Sequence, residues 1–104
     1  MEDDKILHII EVAKNTGKVR IGTNEATKAI ERGIAKLIVI ADDVQPKEIT
    51  MHLPPLCNEK KIPCVSVKSK QDLGRSAGID VSTAAIAVIQ EGDAKGDIES
   101  LAKK

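Results

Sequence analysis

The apolar positions of the chain alternate between helical and strand-like spacing. Residues 6–13 place apolar side chains three or four positions apart, in a helix that Asp3 or Asp4 can cap and Gly17 can end. A continuous apolar run at residues 37–41 is typical of a central strand covered on both faces. Shorter strands are predicted at residues 19–21, 63–67 and 85–89. Helices between strands predict an α/β fold, a three-layer α-β-α sandwich around a small four-stranded mixed sheet.

Cap and turn residues predict where the other helices begin and end. Thr23 or Asn24 is the predicted N-cap of the second helix, with Glu25 in its first turn and Gly33 after its end. Pro54 and Pro55 are expected to break the chain. The remaining predicted segments are a helix from Pro46 to about Leu53, a short helix over 56–61, a helix over 70–77 capped by Ser69 and stopped by Gly78, a loop over 79–83 and a closing helix over 97–104.

The composition narrows the classes of protein that fit this pattern. The chain has 104 residues, 41% hydrophobic and 31% charged, which suits a single domain over residues 1–104. It has no Phe, Tyr or Trp, which excludes RNA-binding modules that stack bases on aromatic rings. Cys57 and Cys64 are too few for a disulfide scaffold, so they are expected to pack as small apolar residues in a reducing, cytoplasmic setting.

The charges sum to zero but are unevenly distributed. Residues 14–36 hold six basic and two acidic side chains, and residues 60–75 hold five basic and one acidic. Such segments can form one basic face for a polyanion, or they can simply solvate the surface. The longest apolar run is too short to span a bilayer, so no membrane partner is expected.

The segment from Gly22 to Lys28 offers the most specific chemistry. Glu25 has two acceptor oxygens for the N1–H and N2–H groups of a guanine, and Lys28, one turn further on, can donate to guanine O6 or N7. Asn24 can both donate and accept, and the first amides of the helix can donate to a phosphate. The alternative is an ordinary helix start in which Glu25 complements the helix dipole.

Two further segments leave alternatives open. The loop from Ile79 to Ala84 can shelter an extruded base by apolar contact, or Ile79 and Val81 can turn into the core. Asp42 and Asp43 permit a magnesium-binding phosphoacceptor domain, but a capping and turn role is favoured because no acidic residue follows the strand ending at Val67. No nucleophile–base pair or metal-ligand spacing is recognisable, so no enzymatic activity and no cofactor or metal are expected.

Several stretches in the same order resemble a known family. They are residues 19–28 (VRIGTNEATK), 31–33 (ERG), 37–41 (LIVIA), 52–57 (HLPPLC) and 73–75 (LGR). They are similar to the kink-turn RNA-binding ribosomal protein superfamily, which includes the archaeal large-subunit protein L7Ae and its eukaryotic RNP relatives. The resemblance runs from about Lys5 to Lys104.

The resemblance implies an RNA-binding scaffold without catalytic activity. Its expected partners are kink-turn RNAs (rRNA, box C/D and H/ACA guide RNAs and RNase P RNA) and RNP assembly proteins, with a monomer in the absence of RNA. Positions that match the tandem G·A contacts, the RNA backbone and the bulged nucleotide complete the candidate RNA-binding set: Arg20, Gly22, Thr23, Asn24, Glu25, Lys28, Arg32, Ile79, Asp80, Val81 and Ala84.

One position departs from the family pattern. Ile21 stands where the family usually has Lys, which implies one phosphate contact fewer. The departure also keeps open a protein-interaction module that has lost RNA binding.

Overall fold

The structure, a computed structural model, describes residues 3–45 and 47–102. Within them the chain alternates helices and strands as the apolar pattern predicts. In chain order the elements are α1 (Asp3–Thr16), β1 (Lys18–Ile21), α2 (Thr23–Glu31), β2 (Leu37–Ala41), α3 (Glu48–Met51), α4 (Leu53–Lys60), β3 (Cys64–Val67), α5 (Lys70–Ser76), β4 (Ala85–Gln90), a 3-10 turn (Gly92–Ala94) and α6 (Lys95–Ala102).

The four strands form one mixed sheet in the order β1-β4-β2-β3. Strands β2 and β3 are parallel, whereas β4 is antiparallel to both β1 and β2. At the centre, Val39 pairs with Val65 on one side and Ile86 on the other. All five residues of β2 are buried, because successive side chains point to opposite faces and both faces are covered.

Helices cover both faces of the sheet, which confirms the predicted three-layer α-β-α sandwich. On one face, Ile9 and Ile10 of α1 pack with Leu73 of α5 against Val39 and Ile86. The other face forms a second cluster, with members from α2, α4 and the sheet: Ala26, Ala29, Ile30, Ile38, Ile40, Leu53, Cys57, Ala85 and Ala87. The alternating residues of β2 thus divide between two cores.

The start of α2 differs from the prediction. Gly22, not Thr23 or Asn24, occupies the N-cap position, and no side chain caps the helix. The Gly22 N–H donates to the Ala85 carbonyl at 2.8 Å, so the chain is held against β4 up to this residue. Its φ of 106° and ψ of 156° then turn the chain directly into the helix, which places Thr23 and Asn24 inside the first turn.

The proline pair was also predicted wrongly. Pro54 and Pro55 lie in the first turn of α4, which begins at Leu53 instead of after them. The first amides of a helix have no intrahelical acceptor, so proline loses no hydrogen bond there. Pro46 lies outside the described residues, and the helix predicted to start there is limited to Glu48–Met51.

The other predicted boundaries hold closely. Ser69 caps α5, with its hydroxyl accepting from the Asp72 N–H at 3.2 Å. Gly33 and Gly78 follow their helices with φ values of 71° and 78°, as helix-ending glycines do. The closing helix begins at Lys95, two residues before the predicted start, and residues 103–104 lie outside the described part. Among the described residues, no helix is long and apolar enough to cross a membrane.

Candidate nucleic-acid interface

The first turn of α2 presents the polar side chains that the sequence singled out. Ala26, Ala29 and Ile30 are buried and fix one face of the helix against the sheet. The opposite face carries Glu25 and Lys28, whose side chains are 49% and 57% exposed. Glu25 Oε2 and Lys28 Nζ lie 3.9 Å apart. The pair is exposed and weak, so it restrains both side chains, yet either side chain can leave it to bind another partner.

Threonine and histidine side chains hold this turn in place. The Thr27 hydroxyl donates to the Thr23 carbonyl at 2.8 Å and lies 2.8 Å from His52 Nε2. His52 immediately precedes α4, so the contact joins α2 to α4 beside the candidate site. Sequence patterns do not indicate this role for His52, because its partner is 25 residues away along the chain.

The second candidate segment is anchored at both of its ends. Ile79 N–H donates to the Gly74 carbonyl at 3.2 Å, and Thr83 N–H donates to the Lys70 carbonyl at 3.2 Å. The Ala84 carbonyl accepts from the Ala41 N–H at 2.9 Å. Between these anchors, a Cβ on Gly74 would collide with the Val81 carbonyl oxygen. Only glycine therefore lets α5 approach the loop this closely.

The side chains of this loop are mostly displayed to solvent. Val81 is 68% exposed, so the alternative in which both Ile79 and Val81 turn into the core fails for Val81. Asp80 is exposed, whereas Ile79 and Ala84 are half-buried. Because the backbone of the loop is already anchored, an outward-pointing apolar side chain can contact a planar group without a further entropy cost for ordering the loop.

One carbonyl connects the two candidate segments. Ala85 O accepts from the Gly22 N–H at 2.8 Å and from the Thr83 hydroxyl at 3.1 Å. The beginning of α2 and the end of the loop therefore meet at the first residue of β4. The β1–β4 pairing, which aligns Ile21 with Ile86, creates this contact between segments about sixty residues apart.

A basic groove adjoins these segments and extends the candidate site. Its volume is about 450 Å³, and its lining includes Lys14, Lys18 and Arg20 beside Gly78 and Ile79. Lys18 and Arg20 occupy the exposed positions of edge strand β1. The family resemblance indicated Arg20 but neither Lys14 nor Lys18, because only the fold brings α1 next to β1 and the loop.

Not every candidate residue belongs to this assembly. Arg32 is the C-cap of α2 and lies about 13 Å along the helix axis from Thr23, at 1.5 Å per residue. Ile21, the position that departs from the family pattern, is half-buried and packs against the core beneath α1.

One of the paired acids after β2, Asp43, has a structural use. Asp43 Oδ1 accepts the Lys70 N–H at 2.9 Å, which fits the favoured capping and turn role. Asp42 is exposed. No cluster of three or more His, Cys, Asp or Glu side chains suited to a metal ion occurs in the part of the chain that the structure describes.

Comparisons with known proteins point to one family. The model of the ribosomal protein L7Ae/L30e/S12e/Gadd45 family matches residues 4–97. Among solved structures, the chain is similar to the 15.5kD RNA binding protein of Giardia lamblia, with a TM-score of 0.89 and 29% sequence identity. That match covers 99% of this chain and 87% of the Giardia protein.

Proposed function

The chain belongs to the ribosomal protein L7Ae/L30e/S12e/Gadd45 family, and we propose that it is an RNA-binding scaffold for kink-turn and kink-loop elements. Family membership and the likeness to an RNA-binding protein support an RNA-binding component of a ribonucleoprotein. The finer assignment, to tandem sheared G·A pairs in a sharply bent RNA, rests on the chemistry of the α2 turn and the anchored loop.

Glu25 is the proposed reader of guanine. Its carboxylate accepts the N1–H and N2–H of one base, while Lys28 donates to O6 or N7 of the guanines and Asn24 supplies a further donor and acceptor. The 3.9 Å separation of Glu25 and Lys28 supports this assignment, because an acid beside a base matches the paired donor and acceptor edges of guanine. An exposed pair of this kind costs little to separate when RNA replaces it.

The RNA backbone and the bulged nucleotide occupy the neighbouring surfaces. Thr23 and the first amides of α2 face the backbone, because the helix start has no side-chain cap and favours anions. Gly22 adds no side chain to obstruct the approach. Val81 and Ile79 of the loop make apolar contacts with the extruded base, and Asp80 and Ala84 lie beside them.

One observation carries the proposal: the Ala85 carbonyl holds the guanine-reading turn and the base-sheltering loop together through Gly22 and Thr83. A kinked RNA presents its G·A pairs and its bulged base side by side, whereas a straight duplex does not. The protein therefore makes most of its contacts only with the bent form and stabilises it by population shift.

The decisive experiment measures RNA affinity for Glu25→Ala. The loss of a bidentate base contact costs about 1–3 kcal/mol, so the Kd should rise about 5- to 150-fold at a fixed salt concentration. Glu31→Ala, an exposed acid at the other end of the same helix, is the matched control and should bind like the parent.

A second RNA, in which the G·A pairs are replaced by Watson–Crick pairs, separates recognition from charge attraction. The parent should prefer the kink-turn RNA, and Glu25→Ala should lose that preference. If the parent binds both RNAs equally, charge attraction explains the binding and the kink-turn assignment fails. If it binds neither, the assignment also fails and a protein-interaction role is favoured.

The proposal extends to the setting in which the protein acts. It is a cytoplasmic scaffold, monomeric before it meets RNA, and its target is rRNA, a box C/D or H/ACA guide RNA, or RNase P RNA. Bending the RNA presents a composite surface for the assembly proteins that follow. It carries out no reaction and uses no cofactor.

A further inference from the structure

The two cysteines of the chain lie together where α4 meets the β2–β3 edge of the sheet. Cys57 belongs to α4 and is 1% exposed, and Cys64 is the first residue of β3 and is half-buried. Both pack in the core between α4 and the sheet. Both also line an open groove of about 940 Å³ between α3, α4 and the β2–β3 edge. The chain has no other cysteine.

The backbone between them makes this proximity unavoidable. Lys61 ends α4 in the left-handed conformation, with a φ of 60°, and the Ile62 N–H returns to the Cys57 carbonyl at 2.8 Å. Pro63 then accepts from the Ile38 N–H at 2.9 Å, which fixes the entry into β3. A six-residue connection thus folds the end of α4 back onto the start of the strand.

The thiols are also inequivalent. Donation from the Cys57 thiol to the thiolate form of Cys64 lowers the pKa of Cys64, against the opposing effect of burial. The same donation, with burial and repulsion from a charged Cys64, raises the pKa of Cys57. The half-buried thiol on the groove is therefore the better nucleophile, and the buried one remains the proton donor.

We propose that Cys57 and Cys64 form a reactive dithiol site that hydrogen peroxide or an organic hydroperoxide converts to an intramolecular disulfide. Three observations support this site: the two residues share a core position, the connection between them is tight, and Cys64 lines the groove. It does not depend on the RNA-binding proposal. In a reducing compartment the disulfide is transient, because cellular thiols return it to the dithiol.

The chemistry proceeds in two balanced steps. The Cys64 thiolate attacks one oxygen of hydrogen peroxide, the O–O bond breaks, and hydroxide leaves as water after taking a proton, which gives a Cys64 sulfenic acid. Cys57 sulfur then attacks Cys64 sulfur, the S–O bond breaks, and a second water leaves with the Cys57 proton. The two thiols lose two electrons and two protons, and one peroxide becomes two waters.

Peptide mapping of the intact protein tests the product. The parent is exposed to hydrogen peroxide, remaining thiols are blocked, and trypsin digestion follows without reduction. Residues 48–60 carry Cys57 and residues 62–68 carry Cys64, so the disulfide appears as these two peptides linked together. The linked pair should come from monomeric protein, and dithiothreitol should abolish it. Unlinked peptides with both thiols blocked, or a linkage found only in dimers, would overturn the proposal.

Single substitutions test the order of the steps. In Cys57→Ser the Cys64 sulfenic acid has no partner, so dimedone should label Cys64. In Cys64→Ser the buried Cys57 should stay reduced at the same exposure to peroxide. Dimedone labelling of Cys57 at an equal rate would contradict the assigned roles. Circular dichroism checks that both variants are folded. Whether the disulfide forms is tested by the peptide map of the parent protein, which does not depend on the variants.

Discussion

Gly22 works at the scale of a single residue. Its φ of 106° and ψ of 156° fall in a region of backbone space that is essentially restricted to glycine. A Cβ there would meet nothing within 4 Å, so crowding plays no part in the requirement. The backbone conformation of Gly22 is therefore the reason that only glycine fits this position.

Gly22→Ala should therefore destabilise the protein by about 1–3 kcal/mol, the cost of a strained backbone conformation. Urea unfolding followed by far-ultraviolet circular dichroism measures the change. Gly96→Ala is the control, because Gly96 lies in α6 without a positive φ and with open space around it. It should be stabilising by up to about 1 kcal/mol, since alanine favours a helix. Equal effects in the two variants would contradict the strain argument.

At the scale of elements, the loop after α5 is fixed against α5 by backbone contacts. The loop after α5 is held by Gly74, by the Lys70 carbonyl and by the Ala85 carbonyl. Its shape is therefore a property of the α5–loop–β4 unit rather than of its own sequence. This is why the sequence identified the loop but left the orientation of Val81 open.

Gly74→Ala tests that fastening. The added Cβ meets the backbone of Val81 and Ser82, so the loop must shift, at a cost of about 1–3 kcal/mol for overpacking. The gain in helix propensity, at most about 1 kcal/mol, does not offset this. We expect a lower urea midpoint than for the parent and weaker binding of kink-turn RNA. A variant with parental stability and affinity would show that the loop tolerates displacement.

At the scale of the whole molecule, zero net charge conceals a basic side. Lys14, Lys18 and Arg20 converge on one groove because α1 ends beside β1 and the loop. The sequence recorded a basic segment, but a linear pattern cannot show which charges share a surface. The charge pattern left two hypotheses open, a basic face or a solvated surface. The convergence of three cations on one groove favours a basic face there.

Lys18→Gln measures how far this basic side serves RNA. Losing one phosphate contact should lower the slope of log K against log salt concentration by about 0.7–0.9 and weaken binding to all RNA sequences alike. Lys60→Gln is the control, because Lys60 is the exposed last residue of α4 and does not line the basic groove. A slope unchanged in Lys18→Gln, measured by filter binding across a salt series, would place the RNA elsewhere.

Sequence patterns succeeded where local physics decides the outcome. The buried run of β2, the apolar stripe of α1 and the Ser69 cap all follow from neighbouring residues, and each was predicted correctly. The misplaced cap of α2 depends on a partner distant in sequence, because Gly22 is held by Ala85 of β4. The break expected at Pro54 and Pro55 was wrong for a local reason, since proline fits the first turn of a helix.

The Thr27 hydroxyl has a single hydrogen, and this determines which tautomer of His52 can bond to it. Because that hydrogen goes to the Thr23 carbonyl, the bond to His52 requires the imidazole to supply the other one. Neutral His52 is thus the Nε2–H tautomer, with the lone pair on Nδ1. The contact that joins α2 to α4 therefore also selects which nitrogen of the ring carries the proton.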